Sequence, residues 1–450
     1  MTILSRLHDL RLPSGLRRPV VRVALGQRLR LLAKRQQLHQ RVSDPQDIAK
    51  YQLDAFNAVW RIARERYRFY REWQRRHGLV DQLADLAELS RFPTLRKQDI
   101  EENFATIAED ARPCRFVATG GSTGPSTLFP RGPEDDAFLH TNMYLGRSWA
   151  GITAGDNIVL IWGHDHLYGT GIKGRLNRAK RTVMDTLIDT KRLSVYRLDH
   201  DSVSSYWDSI RARAGAVVVG YVSAVRKLLD FIEATGIDGR GARIRAVIFC
   251  SETVFPRDID RVRSLLGAVA LNEYGTGETG VMAYSHPDSN ALTFFWDAFH
   301  CQLTAERELL ITTLQPYHFP LINWGTGDRV IPVSDARTPP FRCERITGRT
   351  RTSLGLTLRD GRALEVHSEL LEDCLDLVPE VRSYFIHQRG DSIEIAVRTL
   401  ESRGLEETRR RFLDVVARQC GALDEEKLIF TPLTEEPYTV AGKRRYVVRE

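Results

Sequence analysis

The stretch "VATGGSTGPSTLFP", residues 117–130, holds three glycines and five hydroxyl side chains within the ten residues 119–128. Glycine lets the backbone adopt positive φ and approach a ligand closely. Successive N–H groups that point into such a turn form an anion-binding concavity. A strand-like "RFVAT" leads into the stretch and apolar "LFP" follows it, which favours a loop between strands over a flexible linker. We therefore predict a phosphate-binding loop. It differs from the Walker loop because no lysine follows its last glycine.

Two further loops carry the chemistry that a nucleotide needs. In "NEYGTGETG" (272–280), Tyr274 offers a flat face for a base, Thr276 and Thr279 could donate to phosphate, and Glu278 could hold Mg²⁺ through oxygen. In "NWGTGDRV" (323–330), Asp328 suits a pair of ribose hydroxyls. Either loop alone is equally compatible with a plain β-turn. Three such loops, each following a strand, favour a nucleotide site.

The order of the predicted elements favours an α/β fold. Apolar strands at 156–162, 215–221 and 244–252, and a strand that runs into a loop at 269–280, are separated by helical stretches, among them 223–234 and 257–266. This alternation is typical of a mostly parallel sheet. A long helix is predicted over 45–80. After residue 290 the pattern becomes antiparallel, and beyond Ile346 about 100 residues have an apolar periodicity of their own.

The positive charge of the chain is concentrated at its amino end. Residues 1–41 hold ten Arg or Lys and one acid, while the whole chain of 450 residues has a net charge of +7. A basic segment of this kind could contact an anionic surface such as a membrane or nucleic acid, or it could be the solvated face of a helix. The longest apolar runs are too short to span a bilayer. Six scattered cysteines without a CxxC pair favour a reducing compartment, so we expect a cytoplasmic protein.

The motifs occur in an order that resembles the AMP-forming adenylate-forming superfamily of acyl-CoA synthetases, adenylation domains and luciferases. The matching segments are "TGGSTGPST", "CSETV", "EYGTGETG", "NWGTGDR", "ITGRT" and "YTVAGKRR". The helical lead-in with "YRFYREW" and "FPTLRKQDI" is most similar to the phenylacetate–CoA ligase branch and its capsule-biosynthesis relatives. The resemblance covers roughly residues 50–450. It implies a large domain with mostly parallel sheets and a β-rich subdomain, followed by a small mobile α+β domain, with boundaries at 1–44 for the basic arm, 45–345 and 346–450.

The resemblance also implies a role for each matching residue. Glu278 would be the Mg²⁺ ligand, and Lys443 would be the mobile catalytic lysine that reaches the α-phosphate. ATP or AMP would be bound by Thr119, Gly120, Gly121, Ser122, Thr123, Gly124, Ser251, Glu252, Thr253, Tyr274, Gly275, Thr276, Asp328 and Arg349. The stretch "WGHDHLYGTGIKGR" (162–175) lies where relatives line the acyl pocket, so His164, His166 and Tyr168 are candidate substrate contacts, although helix capping or solvent exposure would explain the two histidines as well.

The chain departs from the family pattern at several positions. Pro125 replaces the usual lysine of the phosphate loop, and Gly277 replaces the threonine before the metal-binding glutamate. Arg351 or Thr352 replaces the aspartate of the hinge. Ser285 and His286 lie where some relatives have zinc-binding cysteines, which argues against a zinc site.

The implied activity is ATP-dependent activation of a carboxylic acid as its acyl-adenylate, with release of pyrophosphate and transfer of the acyl group to coenzyme A by default. The altered hinge leaves an amine acceptor and an amide product open. A non-catalytic nucleotide-binding homologue is a third alternative. A fourth is a dinucleotide-dependent oxidoreductase, because "GTGIKG" (169–174) has the spacing G-x-G-x-x-G and Asp189 follows about 20 residues later. However, its first glycine lies seven residues beyond Trp162, too far from the end of the strand. The expected partners are therefore small molecules, without specific nucleic acid.

Overall fold

The computed structural model describes residues 14–118, 127–162, 171–195, 200–315, 317–333, 338–349 and 353–367, and in the C-terminal region 371–372, 374–375, 378, 380–399, 404–434 and 447–449. Within these ranges, no helix is both long enough and apolar enough to cross a membrane. All six cysteines are free thiols. The chain divides into two compact units: the first holds Met1–Thr326 and Val330–Ile346, and the second holds Gly327–Arg329 and Thr347–Glu450.

A single eleven-stranded sheet forms the centre of the fold. Its strands are β3 (Ile158–Trp162), β4 (Thr190–Ser194), β5 (Val217–Tyr221), β6 (Ala246–Cys250), β7 (Val269–Thr276), β8 (Gly280–Ser285), β9 (Leu292–Phe294), β10 (Phe299–Leu303), β11 (Glu308–Thr313), β12 (Trp324–Pro332) and β13 (Arg342–Arg349). They lie in the order β10–β11–β12–β13–β9–β8–β7–β6–β5–β3–β4. Strands β4, β3, β5, β6 and β7 are parallel. The predicted α/β class is confirmed. The antiparallel part is continuous with the parallel part because β8 folds back onto β7.

Helices cover the parallel strands and supply most connections. They are α1 (Ser14–Arg41), α2 (Pro45–Arg66), α3 (Arg68–His77), α4 (Lys97–Glu102), α5 (Phe104–Asp110), α6 (Pro133–Ser148), α7 (Gly171–Leu187), α8 (His200–Arg211), α9 (Val222–Thr235), α10 (Pro256–Leu266) and, in the second unit, α11 (Leu405–Cys420). The helices predicted at 223–234 and 257–266 are confirmed as α9 and α10. Both end at a glycine in the left-handed conformation, Gly236 and Gly267, a common way to terminate a helix.

The single helix predicted over 45–80 is two helices. Tyr67, between α2 and α3, has an extended backbone with φ −106° and ψ 121°. Its ring is fully buried, in edge contact with Phe319 and Tyr70, and its hydroxyl donates to the carbonyl of His318. Local periodicity favours continuous helix here, but the long-range contacts of this side chain stabilise a break.

The apolar core of the first unit lies on both faces of the parallel strands. Every residue of β5 and β6 is buried, as expected for parallel strands covered on both sides. A second part of the core is an aromatic cluster that α2 and α3 bring together. Its rings pack mostly edge to face, and its members are Phe56, Trp60, Tyr67, Phe69, Tyr70, Trp73, Phe92 and Phe319.

The glycine-rich stretch joins the two strands of a hairpin. Strands β1 (Arg115–Ala118) and β2 (Leu128–Arg131) are antiparallel, and Ala118 pairs with Leu128 directly beside the stretch. Pairing that extends to both ends of a segment defines a loop between strands. The stretch therefore connects two paired strands rather than two domains, and its binding of phosphate stays a prediction.

Helix α1 includes most of the basic N-terminal segment and is joined to the first unit by a buried ion pair. The Nε and Nη2 atoms of Arg35 donate to the two carboxylate oxygens of Asp297 over 2.6 and 2.9 Å. Nη1 of Arg35 donates to Asn142 and Thr141 of α6. His39 Nε2 lies 2.8 Å from Asp297 Oδ1. The carboxyl end of α1 is therefore part of the packed unit.

The second unit has a small sheet and core of its own. Strands β16 (Val381–Arg389), β17 (Ser392–Thr399), β18 (Leu428–Pro432) and β19 (Val447–Arg449) form a sheet in the order β18–β17–β16–β19. A separate hairpin pairs β14 (Ser353–Thr357) with β15 (Ala363–His367). Helix α11 contributes Phe412 and Val416 to the core. Strands and a helix in this arrangement give the α+β class expected for this region.

Candidate active site

The hairpin of β7 and β8 presents Glu278 at its turn. Gly275 is required there, because a Cβ at this position would lie 2.2 Å from the carbonyl oxygen of Gly280. The hydroxyls of Thr276 and Thr279 are 2.9 Å apart and close the turn. Thr279 is fully buried and its hydroxyl also donates to the carbonyl of Gly280. The suggestion that Thr279 donates to phosphate is therefore wrong: its hydroxyl stabilises the turn that carries Glu278.

Trp324 orients the carboxylate of Glu278. Its Nε1–H donates to Glu278 Oε1 over 3.1 Å, and its indole is completely buried. The second carboxylate oxygen, Oε2, has no partner among the described residues. The result is a partly exposed carboxylate with a fixed direction and one available oxygen.

Strand β2, which follows the glycine-rich loop, contacts the same hairpin twice. Arg131 Nη2 donates to the carbonyl of Gly277 over 2.8 Å and lies 3.4 Å from that of Glu278. The ring of Phe129 meets the indole of Trp324 edge to face, with centroids 5.5 Å apart. One end of the glycine-rich loop is thus held beside the carboxylate. Trp324 and Arg131 were not predicted as site residues, although Trp324 lies within the quoted "NWGTGDRV" and an indole N–H is a usable donor.

The end of β6 supplies the residues expected near the adenine. Ser251 is exposed and has a φ of +68°, a conformation that costs energy for a residue with a side chain and is enriched at functional sites. Glu252 has a structural contact: its carboxylate accepts from the Ser223 backbone N–H over 2.6 Å and from the Ser223 hydroxyl over 3.0 Å. This carboxylate lies at the amino end of α9, where a negative charge is favourable. Thr253 follows and is partly exposed.

Tyr274 differs from the expected open aromatic face. Only 9% of the residue is exposed, and its ring contacts Phe294 edge to face at 5.8 Å. A contact with a base, which stays a prediction, would have to use the small exposed part of this ring. Gly275 and Thr276 continue the strand to the turn.

Asp328 and Arg349, the expected ribose ligands, are assigned to strands. Asp328 lies in β12, within the three residues that group with the second unit, and only 9% of it is exposed. Arg349 is the last residue of β13. The ribose contacts stay a prediction.

Several predicted site residues lie outside the described residues. They are the phosphate-loop residues Thr119, Gly120, Gly121, Ser122, Thr123 and Gly124, the substrate candidates His164, His166 and Tyr168, and the catalytic candidate Lys443. The hinge residues Arg351 and Thr352 lie outside them as well. Thr127, at the end of the loop, is described: its hydroxyl donates to Glu101 of α4 over 2.5 Å, so this hydroxyl is engaged by the protein.

The residues present fit a magnesium ion. Mg²⁺ is usually held by one or two carboxylates together with water and substrate phosphates. Glu278 offers such a ligand through Oε2 and lies beside the strand that leaves the glycine-rich loop. In the described part of the chain, no group of three or more His, Cys, Asp or Glu side chains could hold a metal ion.

The oxidoreductase alternative is not supported by the surroundings of Asp189. This residue is buried and its carboxylate accepts from Arg213 Nη1 over 2.9 Å. An aspartate that recognises ribose would present its oxygens to the ligand. Helix α7 also begins at Gly171, in the middle of "GTGIKG".

The chain is distantly similar to phenylacetate–CoA ligases. It is 24% identical over 357 residues to the phenylacetate–coenzyme A ligase of Pseudomonas putida, which covers 74% of this chain and 77% of that protein. The ligase of Escherichia coli strain K12 is 24% identical over 347 residues, 72% of this chain and 75% of the relative. Protein CapK of Staphylococcus aureus is 20% identical over 323 residues, 70% of each chain. No family model matches the sequence.

The fold is shared with a solved CoA ligase. A crystal structure of 2-hydroxyisobutyryl-CoA ligase in the postadenylation state, in complex with R3-HIB-AMP, aligns over 89% of both chains with a TM-score of 0.69 and 17% identity. An open conformation of the same ligase, with 2-HIB-AMP and CoA, aligns with a TM-score of 0.57 and covers 89% of this chain and 91% of the other. The fold class is thereby confirmed. The distant sequence similarity to phenylacetate–CoA ligases and CapK confirms the resemblance that the motifs indicated.

Proposed function

We propose that this protein is an AMP-forming ligase that activates a carboxylic acid as its acyl-adenylate and then transfers the acyl group, by default to coenzyme A. The observation that supports it best is the attachment of β2, the strand after the glycine-rich loop, to the hairpin of Glu278. Arg131 and the Phe129–Trp324 contact make this attachment. A triphosphate and its magnesium ion must be bound within a few ångströms of each other. The contacts hold strand β2, which follows the glycine-rich loop, beside the turn that carries Glu278, as binding of both would require.

The chemistry follows from the poor leaving group of a carboxylate. Loss of oxide from a free carboxylate is prohibitively unfavourable, so one carboxylate oxygen instead attacks the α-phosphorus of ATP. The bond from that phosphorus to the bridging oxygen of pyrophosphate breaks, and an acyl-adenylate is left. In-line transfer of this kind needs positioning and charge neutralisation more than covalent help from the protein.

Different residues of this chain would supply the positioning and the charge neutralisation. Glu278, oriented by Trp324, would hold Mg²⁺, which neutralises charge on the phosphate oxygens when bound. The N–H groups and hydroxyls of residues 119–124 would bind the β- and γ-phosphates, and Lys443 would donate to the α-phosphate and the attacking carboxylate. Ser251, Thr253 and Tyr274 would contact the adenine, while Asp328 and Arg349 would bind the ribose.

The second step replaces AMP by an acceptor. The sulfur of coenzyme A attacks the acyl carbonyl carbon, its proton is lost to solvent or a base, and the bond from that carbon to the AMP oxygen breaks. His164, His166 and Tyr168 would line the acyl pocket. Coenzyme A is proposed because the chain is similar in sequence to a phenylacetate–CoA ligase and in fold to a 2-hydroxyisobutyryl-CoA ligase.

Pyrophosphate exchange tests the first step. The protein is incubated with ATP, Mg²⁺ and labelled pyrophosphate over a panel of aliphatic, aromatic and hydroxy carboxylic acids. At least one acid should produce exchange, and Lys443→Ala should lower its rate by at least a factor of about 10². Titration calorimetry that shows no ATP binding but clear NAD(H) binding would overturn the proposal in favour of an oxidoreductase.

Mass spectrometry of the second step identifies the acceptor. With the active acid, the thioester should form only when coenzyme A is added. Lys443→Ala, started from a synthetic acyl-adenylate, should still form it, because the resemblance implies that this lysine leaves the site after adenylation. An amide formed with an amine in the absence of coenzyme A would replace the thioester assignment, while the adenylation step would stand.

A further inference from the structure

Helix α7 exposes large apolar side chains on its outer side. Leu176 is 66% exposed, Val183 is 51% exposed and Met184 is 40% exposed. Leu176 and Val183 are seven residues apart, nearly two full turns, so both project from the same side of the helix. Of the nine large exposed apolar side chains among the described residues, three lie on this one helix. Single exposed apolar residues are ordinary on a protein surface, but a group of this kind marks an interaction site.

The opposite side of α7 is anchored in the first unit. Thr182 and Asp185 are buried. The carboxylate of Asp185 accepts from Arg192 of β4 over 2.6 Å. The orientation of the helix is therefore set by packing, and its apolar outer side is not covered by any described residue.

Helix α7 and its neighbour α1 are rich in cations. The sequence of α7 holds five Lys or Arg and a single acid, Asp185, which is the buried one. Lys180, four residues from Leu176, and Arg181 are exposed, and Arg181 also pairs with Asp185 over 3.4 Å. Helix α1 packs against α7 and exposes Arg30 and Lys34.

Arg28 of α1 lines a small cavity together with His140 of α6. Burial is the main cause that lowers the pKa of His140 to about 4, and the charges of Arg28 on α1 and Arg181 on α7 lower it further. Positive charge is concentrated in residues 1–41, which carry a net +9, while residues 42–450 together carry about −2. Helix α7 is a local exception within that second part, with five Lys or Arg and one acid.

We propose that α7 and α1 bind reversibly to a membrane surface that contains anionic lipids. Leu176, Val183 and Met184 would enter the interface between head groups and acyl chains, and the flanking cations would pair with lipid phosphates. An interfacial helix has this combination of an apolar side and lysine or arginine, and cations near an anionic leaflet strengthen the attachment. Nucleic acid would use the cations but would give exposed leucine and valine nothing to contact, so lipid fits the surface better.

Vesicle sedimentation tests the proposal with the full-length protein. The protein should sediment with vesicles of phosphatidylcholine and phosphatidylglycerol, and much less with phosphatidylcholine alone. Leu176→Ser combined with Val183→Ser should weaken binding at least about tenfold. Lys180→Gln and Arg30→Gln should each weaken it by up to about fivefold, and raised salt should weaken it further.

Two matched variants control for the general effect of removing an exposed apolar side chain. Ile237→Ser and Ile429→Ser change two other exposed apolar residues, 38% and 49% exposed, and should leave vesicle binding unchanged. The proposal is overturned if the wild type does not sediment with anionic vesicles, or if the Leu176/Val183 variant sediments as well as the wild type. Retention on RNA or DNA that is insensitive to the Leu176/Val183 change, without vesicle binding, would assign the surface to nucleic acid instead.

Discussion

Two carboxylates of the first unit, those of Asp297 and Glu278, differ in how many of their oxygens accept hydrogen bonds from the protein. Asp297 is fully buried, and three hydrogen bonds from Arg35 and His39 occupy both of its oxygens. Burial alone would raise the pKa of Asp297, but the charge of Arg35 and its hydrogen bonds hold that pKa well below the usual range. Glu278 is partly exposed and only its Oε1 has a described partner, the indole N–H of Trp324.

The difference separates a structural carboxylate from a candidate ligand. An ion pair in which both carboxylate oxygens are engaged joins α1 to the rest of the unit. A carboxylate that is oriented through one oxygen, with the other available, is suited to bind a cation. Removal of the Arg35–Asp297 pair should therefore lower the stability of the fold with little effect on catalysis. Removal of the Glu278 carboxylate should lower catalysis with little effect on stability.

The largest effect is expected from Arg35→Met. This substitution removes the guanidinium, so that His39 is the remaining partner of the buried Asp297 carboxylate. Loss of one partner of a buried ion pair lowers the unfolding free energy by about 3–5 kcal/mol. Urea unfolding measures this loss. Pyrophosphate exchange of the protein that remains folded should stay within a few-fold of the wild type.

The double variant Arg35→Met with Asp297→Leu controls for volume. Replacing both partners by apolar residues removes the unpaired charge, so most of the lost stability should return. If the single variant loses less than about 1 kcal/mol of unfolding free energy, the pair behaves like an exposed ion pair. The assignment of Asp297 as a structural carboxylate would then be wrong. Deletion of residues 1–41 also removes Arg35, so a test of whether this segment is dispensable for chemistry should be made in an Asp297→Leu background.

Glu278→Gln should lower pyrophosphate exchange by a factor of about 10², which is typical for loss of a preorganised electrostatic group. Glutamine can still accept from Trp324, but it lacks the charge that binds Mg²⁺. Its unfolding free energy should change by less than about 0.5 kcal/mol. Glu65→Gln, at an exposed position of α2, is the matched control and should have wild-type activity. Wild-type exchange in Glu278→Gln would remove this residue from the site.

Trp324→Phe should raise the Mg²⁺ concentration needed for half-maximal exchange by about three- to tenfold. Phenylalanine keeps an aromatic ring against Phe129 but removes the Nε1–H donor, and the loss of one such hydrogen bond costs about 0.5–1.5 kcal/mol. A shift confined to the Mg²⁺ dependence, with a similar maximal rate, distinguishes orientation of Glu278 from general damage. Trp149→Phe, at a ring that stacks on His286, should leave the Mg²⁺ dependence unchanged, and an equal shift in that variant would contradict the assignment.

The smallest effect is expected in the pH dependence of stability, through the buried imidazole of His300. Burial lowers the pKa of His300 to about 4, and its Nδ1 lies 3.0 Å from Gln52 Oε1. Below the unfolded pKa of about 6.5 the unfolded chain binds a proton that the folded chain excludes. Stability should therefore be retained above that pH and lost as the pH falls from about 6.5 towards 4.

His300→Asn keeps a donor for Gln52 but does not titrate. It should reduce the loss of unfolding free energy between those pH values by on the order of 1 kcal/mol. Urea unfolding at a series of pH values measures the slope. An unchanged slope would mean that His300 does not control this part of the pH dependence.

Much of the local structure could be predicted from the sequence. The buried apolar runs identify β5 and β6, and helical spacing identifies α9 and α10, because these patterns depend on residues close together in the chain. The glycine-rich hairpin and the turn that carries Glu278 could be found in the same way. The order of the motifs was sufficient to indicate the superfamily.

Other features depend on residues far apart in the sequence. Arg35 and Asp297 are 262 positions apart, and a basic helix with apolar residues is equally compatible with a free arm. The break at Tyr67 and the burial of Thr279 arise from contacts that no local pattern specifies.

The sequence by itself determined which residue types stand at the ends of the strands, and therefore the class of chemistry that we propose. Only the tertiary structure decided which of these side chains are engaged by the protein. Glu252 and Thr127 had the composition of ligands but contact Ser223 and Glu101, whereas Trp324 proved to be the residue that orients Glu278. The physical reason is that a polar group can bind a ligand only with hydrogen-bond donors and acceptors that the folded chain has not already satisfied. Packing of residues that are far apart in the sequence decides which donors and acceptors are left.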